Sequence, residues 1–183
     1  MIDPATGVLL IADPFLKDPN FLRTVVVLCE QNDDGAVGFV INRLFEHTLN
    51  ELLPEAEDLP LPVYYGGPVQ PNSIHFVHQY PALIPGGQEI VDGICWGGDF
   101  ELALSLLRKK EISEDKIRIF IGYSGWDTGQ LQEEIKEKSW LTVQATPRLL
   151  FQSNAANTWK DALKELGGEY EMMIHYPIDP QLN

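Results

Sequence analysis

Two stretches of the chain set reactive or recognition-capable side chains among glycines. Gly122-Tyr123-Ser124-Gly125-Trp126 leads into Asp127-Thr-Gly129-Gln130, and Tyr65-Gly66-Gly67-Pro68 follows Val63-Tyr64. A serine on a sharp strand-to-helix turn is how hydrolases of the Gly-x-Ser-x-Gly type expose a nucleophilic hydroxyl. Here Trp126 stands where the second glycine belongs, and His175, near the C-terminus, is the sole histidine downstream of Ser124. A hydrolase using Ser124 is therefore the alternative reading. The spacing favours a turn serine that bonds local backbone, and no catalytic residue is assigned.

Other chemistries are tested by spacing. Gly122, Gly125 and Gly129 do not form Gly-x-Gly-x-x-Gly, and no Gly-Lys-Ser/Thr follows, so neither a dinucleotide fingerprint nor a P-loop is present and no cofactor is assigned. His75 and His78 lie an odd number of positions apart and point to opposite faces of a strand, with no third ligand at zinc spacing, so no metal is assigned. Cys29 and Cys95 sit in apolar runs as small buried hydrophobes, without a C-x-x-C or helix N-terminus to activate a thiol. Arg23 and Arg43 stand out because basic residues are scarce around them. Each either pairs with a nearby carboxylate or binds an anion, since the planar guanidinium fork serves both.

The elements that must position these residues follow from periodicity. Ile117, Ile119 and Ile121 alternate with Arg118 and Phe120 as a strand. The glycines then punctuate a turn, and Asp127, three residues before Gln130, has the spacing of a helix capping box. Val8–Ala12 reads as a buried strand, and the runs from Arg23 to Glu30 and from Ala36 to Asn42 read as a hairpin closed by Asp34-Gly35. Thr48–Leu53 forms barely two helical turns before Pro54, and Pro54–Pro62 reads as an extended surface connection. Val63–Tyr65, Ser73–Tyr80 and Glu89–Trp96 are expected as single strands. Asp99 caps a helix to Lys110, a second helix runs to Lys138, Trp140–Ala145 and Arg148–Phe151 are short strands, and Asn154–Leu166 is a helix ended by Gly167-Gly168. This irregular order predicts an α+β fold with a mixed sheet.

The chain has 183 residues, 44% of them hydrophobic, which suits one substantial core and a single domain over 1–183. Its longest apolar runs are five residues, and the N-terminus lacks a signal-peptide pattern, so a cytoplasmic protein with no membrane association is expected. Net charge is −14, and residues 1–107 carry three basic side chains against 15 acidic ones. Such a surface repels phosphate backbones, which argues against direct nucleic-acid binding and leaves a direct DNA-binding regulator as a disfavoured alternative.

The chain resembles the AlgH/YqgE family of bacterial proteins. The similarity rests on Gly7–Ala12 with Pro14, on Phe21–Cys29, on Gly35–Arg43, on Tyr65-Gly-Gly-Pro-Val69, on Gly122–Trp126 with Gly129-Gln-Leu131, and on Trp159 with Ala162-Leu163. The resemblance implies a compact domain in which a small β-barrel joins a branching sheet surrounded by helices. It brings no catalytic residues. The family often has alanine where this chain has Ser124, which weakens the nucleophile reading further. Its name implies a role in transcriptional control, which without a helix-turn-helix or a basic stripe would be indirect. Its members' position beside a resolvase-like nuclease hints at a protein partner.

The combined expectation is a non-enzymatic protein that binds a protein partner or small ligand. If the strands ending at Tyr65 and near Tyr123 share a sheet, Tyr65, Gly66, Gly67 and Pro68 meet Tyr123, Ser124, Gly125 and Trp126 in one cleft. Tyr123 and Trp126 would then offer flat contact area, and the N–H groups at Gly129 and Gln130 would receive an anion. The competing reading for Trp126 is that it fills the core beneath the sheet.

Overall fold

The computed structural model describes residues 1–178. The strands are β1 (Val8–Ala12), β2 (Val25–Asn32), β3 (Gly35–Val40), β4 (Val63–Tyr65), β5 (Val69–His78), β6 (Gln88–Val91), β7 (Ile94–Trp96), β8 (Ile117–Asp127) and β9 (Trp140–Gln144). The helices are α1 (Leu49–Leu52), α2 (Phe100–Arg108), α3 (Gln130–Lys136), α4 (Pro147–Leu150), α5 (Ala155–Leu166) and α6 (Glu169–Met172).

Among the described residues all nine strands join one sheet, in the order β6-β7-β5-β8-β3-β2-β1-β9, with β4 branching onto β8. The branch is built on β8. Its first half pairs in parallel with β4 (Val63↔Ile119, Tyr65↔Ile121) and its second half pairs antiparallel with β3 (Gly35↔Asp127, Gly38↔Ser124). Gly122, at φ +70°, marks the bend between the two halves. The sheet curls into a half-barrel until the Ile90 carbonyl of β6 stands 2.3 Å from where a Cβ on Gly7 would lie, just ahead of β1. Leu9, Ile11, Val27, Phe39, Phe120 and Ile94 fill the inside, and Trp159 and Leu163 of α5 cover it. On the other face, Phe76, Ile119 and Ile121 pack against Leu104 and Leu107 of α2, while Leu131 of α3 packs with Val26, Trp126 and Trp140. The result is a single α+β domain.

Several expected elements differ. β8 does not stop at Ile121; it runs through the glycines to Asp127, because β3 and Val69 pair with the extension. Glu89–Trp96 is a two-strand hairpin, with Val91↔Ile94 closing a two-residue Asp92-Gly93 turn in which Gly93 takes φ +75°. Arg148–Phe151 is helical rather than a strand. Thr146 caps α4 by accepting from the Leu149 N–H, and Pro147 occupies its first turn, where no N–H is needed. Pro54–Pro62 is not merely a surface connection, since it contains a 3-10 turn over Pro54–Ala56 and buries Ala56, Leu59 and Leu61. The β2–β3 hairpin closes more tightly than expected, with Asn32 paired to Gly35. Asp127 is not a helix cap. Gly129 is the N-cap residue of α3, and the Asp127 N–H instead donates to Gln130 Oε1 at 2.9 Å, the reciprocal half of a capping box.

Candidate functional site

The two glycine-bearing stretches do meet, and they meet through backbone. The Gly66 N–H donates to the Ile121 carbonyl at 2.9 Å, and the Gly66 carbonyl accepts from Val40 N–H at 2.9 Å and from the Ser124 hydroxyl at 3.0 Å. A Cβ on Gly67 would fall 2.3 Å from the Tyr123 carbonyl oxygen and 2.4 Å from Ser124 Oγ, so only glycine lets the 66–68 segment cross β8 this closely. Gly66, Gly67 and Ser124 are therefore buried in the seam, and the expected open cleft over them is filled by the chain itself. Ser124 is not a turn serine bonding local backbone: it lies within β8, fully buried, and its hydroxyl donates across the seam to the Gly66 carbonyl, which leaves it no access to a substrate.

Trp126 belongs to the core. It is 6% exposed, its ring lies 6.2 Å from those of Phe21 and Trp140, and its indole N–H donates to Glu134 Oε2 at 2.7 Å. The β8 extension causes this: continued alternation turns Trp126 to the α3 side, opposite Tyr123. Gly129 and Gln130 are exposed, but α3 is seven residues long and Gln130 spends its side chain on the Asp127 N–H and on Glu134 Oε1. With Glu133 in the first turn, that end of the helix offers little attraction for an anion.

What stays partly exposed at the junction is aromatic. Tyr65 and Tyr123 are half-buried, and Pro68 and Gly125 are exposed. The Tyr123 ring lies 5.9 Å from His75, and both His75 (5.0 Å) and Trp96 (5.9 Å) surround Phe39, which is itself fully buried and stacked on Phe120. His75, Phe76 and Trp96 continue into a groove of about 370 Å³ that Phe100 and Leu53 complete. His75 contacts Ser73 Oγ at 3.0 Å, and burial holds its imidazole below the ordinary pKa. His78 is fully buried, with Nε2 at 2.9 Å from the Gly97 carbonyl and Nδ1 accepting from Tyr80 N–H, so both ring nitrogens are engaged. Among the described residues no group of three or more His, Cys, Asp or Glu side chains is placed to hold a metal ion.

The arginines are partnered by carbonyls, not carboxylates. Arg23 donates to the Tyr176 carbonyl and lies 4.5 Å over the Trp159 ring, while Arg43 bonds the Pro19, Asn20 and Leu22 carbonyls and thereby fixes that turn. The expected carboxylate pairs are absent among the described residues, and Arg43 adjoins the junction, its carbonyl accepting from the Tyr65 N–H at 2.7 Å. Arg118 alternates with the isoleucines of β8. It is 4% exposed, donates from Nη1 to the Ile41 carbonyl at 2.8 Å and from Nη2 to the Gln152 carbonyl, and stacks 4.0 Å from the Tyr64 ring centroid. Sequence reasoning also left out His75 and Trp96 as site residues. Their signal was available: His75, two residues before Val77, shares its face of the strand, and Trp96 sits directly before Gly97-Gly98.

Comparison with known proteins agrees with this architecture. The AlgH-like family model matches residues 9–171. The chain is 40% identical over 179 residues to a UPF0301 protein of Chlorobium luteolum, covering 98% of this chain and 95% of the relative. It is 38% identical over 178 residues to one of Cytophaga hutchinsonii, covering 97% and 98%. The solution structure of the AlgH protein from Pseudomonas aeruginosa superposes with a TM-score of 0.73 at 30% identity, over 97% of this chain and 98% of that one. A crystal structure of a Corynebacterium diphtheriae protein has the same fold, with a TM-score of 0.78 at 20% identity over 96% and 94% of the two chains.

Proposed function

The chain belongs to the AlgH-like family, and on that premise we propose that it is a non-enzymatic cytoplasmic protein that binds a protein partner or small ligand, with any effect on transcription exerted indirectly. Support comes chiefly from the half-exposed rings of Tyr123, His75 and Trp96 seated on buried Phe39. Rigid aromatic side chains on a fixed floor give a partner large contact area at small entropic cost. Tyr65 and Pro68 border this face across the glycine seam. The hydrolase alternative loses its nucleophile because the Ser124 hydroxyl is buried and committed to the Gly66 carbonyl. Direct DNA binding is disfavoured by a net charge of −14.

Purified protein screened against generic ester and phosphoester substrates is expected to give no turnover above the uncatalysed rate, with Ser124→Ala indistinguishable from wild type. Turnover that Ser124→Ala abolishes would overturn this reading.

A further inference from the structure

Arg118 is the one buried side chain of fixed charge among the described residues, and no carboxylate there lies within ion-pair distance of it. A guanidinium withdrawn from water without a countercharge carries a large desolvation penalty. The carbonyls of Ile41 and Gln152 and the Tyr64 ring offset part of it, and those two bonds occupy two of the five N–H groups that the fork carries. Burial pulls its pKa below the ordinary arginine value, with Tyr64 opposing, which is the expected sign for a cation short of negative charge.

Arg118 and Tyr64 line a cavity of about 80 Å³ whose other walls include Leu61, Ile119 and Phe151. One water needs roughly 10–15 Å³ on this measure, so the space takes a small organic molecule and is too small for a nucleotide. At the outer side the cavity is lined by Glu114 and Asp115, both exposed. The order of charge is thus positive at depth and negative at the mouth, with apolar walls between. A simple anion is repelled on entry, whereas a zwitterion satisfies both ends.

The geometry points to a binding site for a free amino acid with a small aliphatic side chain, its carboxylate on Arg118, its ammonium toward Glu114 and Asp115, and its side chain against Tyr64 and Phe151, which line the same side of the sheet as Arg118. A planar guanidinium suits a carboxylate in a way that a point charge does not. The site lies apart from the aromatic face of Tyr123, His75 and Trp96, so its failure would leave that reading standing.

Amide NMR shifts of the full chain, titrated with valine, isovalerate, isobutylamine and inorganic phosphate, test the site. Valine is expected to shift the amides of Ile119, Phe151 and Ser153 saturably, isovalerate to bind at least about 5-fold more weakly, and isobutylamine and phosphate to leave them unmoved. Arg118→Lys should weaken valine about 10-fold. Because a buried position is altered there, the exposed pair Glu114→Gln and Asp115→Asn supplies a second variant: together they should weaken valine about 3-fold while strengthening isovalerate. Absence of a saturable shift at these amides up to about 10 mM valine, or isovalerate or phosphate binding as tightly as valine, would overturn the proposal.

Discussion

Trp126 shows how one side chain's direction decides between binding and packing. Its indole and that of Trp140 both donate to Glu134 Oε2, at 2.7 and 2.9 Å, and Phe21 packs against both rings. Trp126→Ala should therefore cost about 3–5 kcal/mol and lower the melting temperature by roughly 6–20 °C in calorimetry; a loss below about 1 kcal/mol would contradict its core placement. His78 supplies a pH signature. Burial holds its pKa below the ordinary 6.5, so the unfolded chain takes up a proton first as the pH drops. Stability from a neutral His78 is present above 6.5 and is lost as the pH falls through the window beneath it. Exposed His47, raised by its bond to Glu51, has the opposite sign, so the comparison must be with a variant rather than with wild type alone. The melting-temperature advantage of wild type over His78→Asn should shrink from about pH 7 to about pH 5; a pH-independent difference would contradict it. The residue types at the junction were legible from sequence; the role of Ser124 was not, since it bonds Gly66 across the seam rather than its local backbone. The direction of Trp126 was not, because it depends on whether the strand continues past Gly122. The burial of Arg118 was also hidden, since alternation marks a face but not what covers it.

At the scale of elements, local chemistry was readable where it acts alone. Val8–Ala12, the β2–β3 hairpin, the Asp99 cap, whose Oδ1 accepts from the Leu102 N–H at 3.0 Å, and the Gly167 stop all follow from short-range pattern. Failures came where partners far along the chain supply the stabilisation. The glycines of β8 would end an isolated strand, yet β5 on one edge pairs with it as far as Tyr123 and β3 on the other carries it to Asp127. Two other misses were local signals not used: Asp92-Gly93 is a hairpin turn, and Thr146-Pro147 is a helix start. Gly67 and Gly93 separate close approach from turn chemistry. Gly93 has nothing within 4 Å of a Cβ, whereas Gly67 has the Tyr123 carbonyl at 2.3 Å. Chemical denaturation should show Gly93→Ala costing about 1 kcal/mol and Gly67→Ala clearly more, with the Tyr123 environment disturbed in the latter alone. Equal costs would mean that the seam between 66–68 and β8 is looser than described.

Across the whole molecule, the charge pattern and the fold serve the same end. Several cations of the second half engage carboxylates, as in Arg108 with Asp58 and Arg148 with Glu165, while Arg23, Arg43 and Arg118 bond carbonyls. The acidic surface is thus little neutralised by arginine, which favours solubility and selective association over phosphate binding. The half-barrel holds Phe39 and Phe120 as a fixed floor, so the rings above it are presented by strands rather than loops. Family membership and the α+β architecture were legible from ordered motifs, but the location of the partly exposed aromatic face required the strand order. The most direct measurement is in-cell photocrosslinking in the native host, with benzoylphenylalanine placed at position 123, at position 96, or at position 160 on the exposed side of α5. Discrete crosslinked species from positions 123 and 96, absent from position 160, are expected if the aromatic face is where this protein binds; equal crosslinking at all three, or species from position 160 alone, would contradict it.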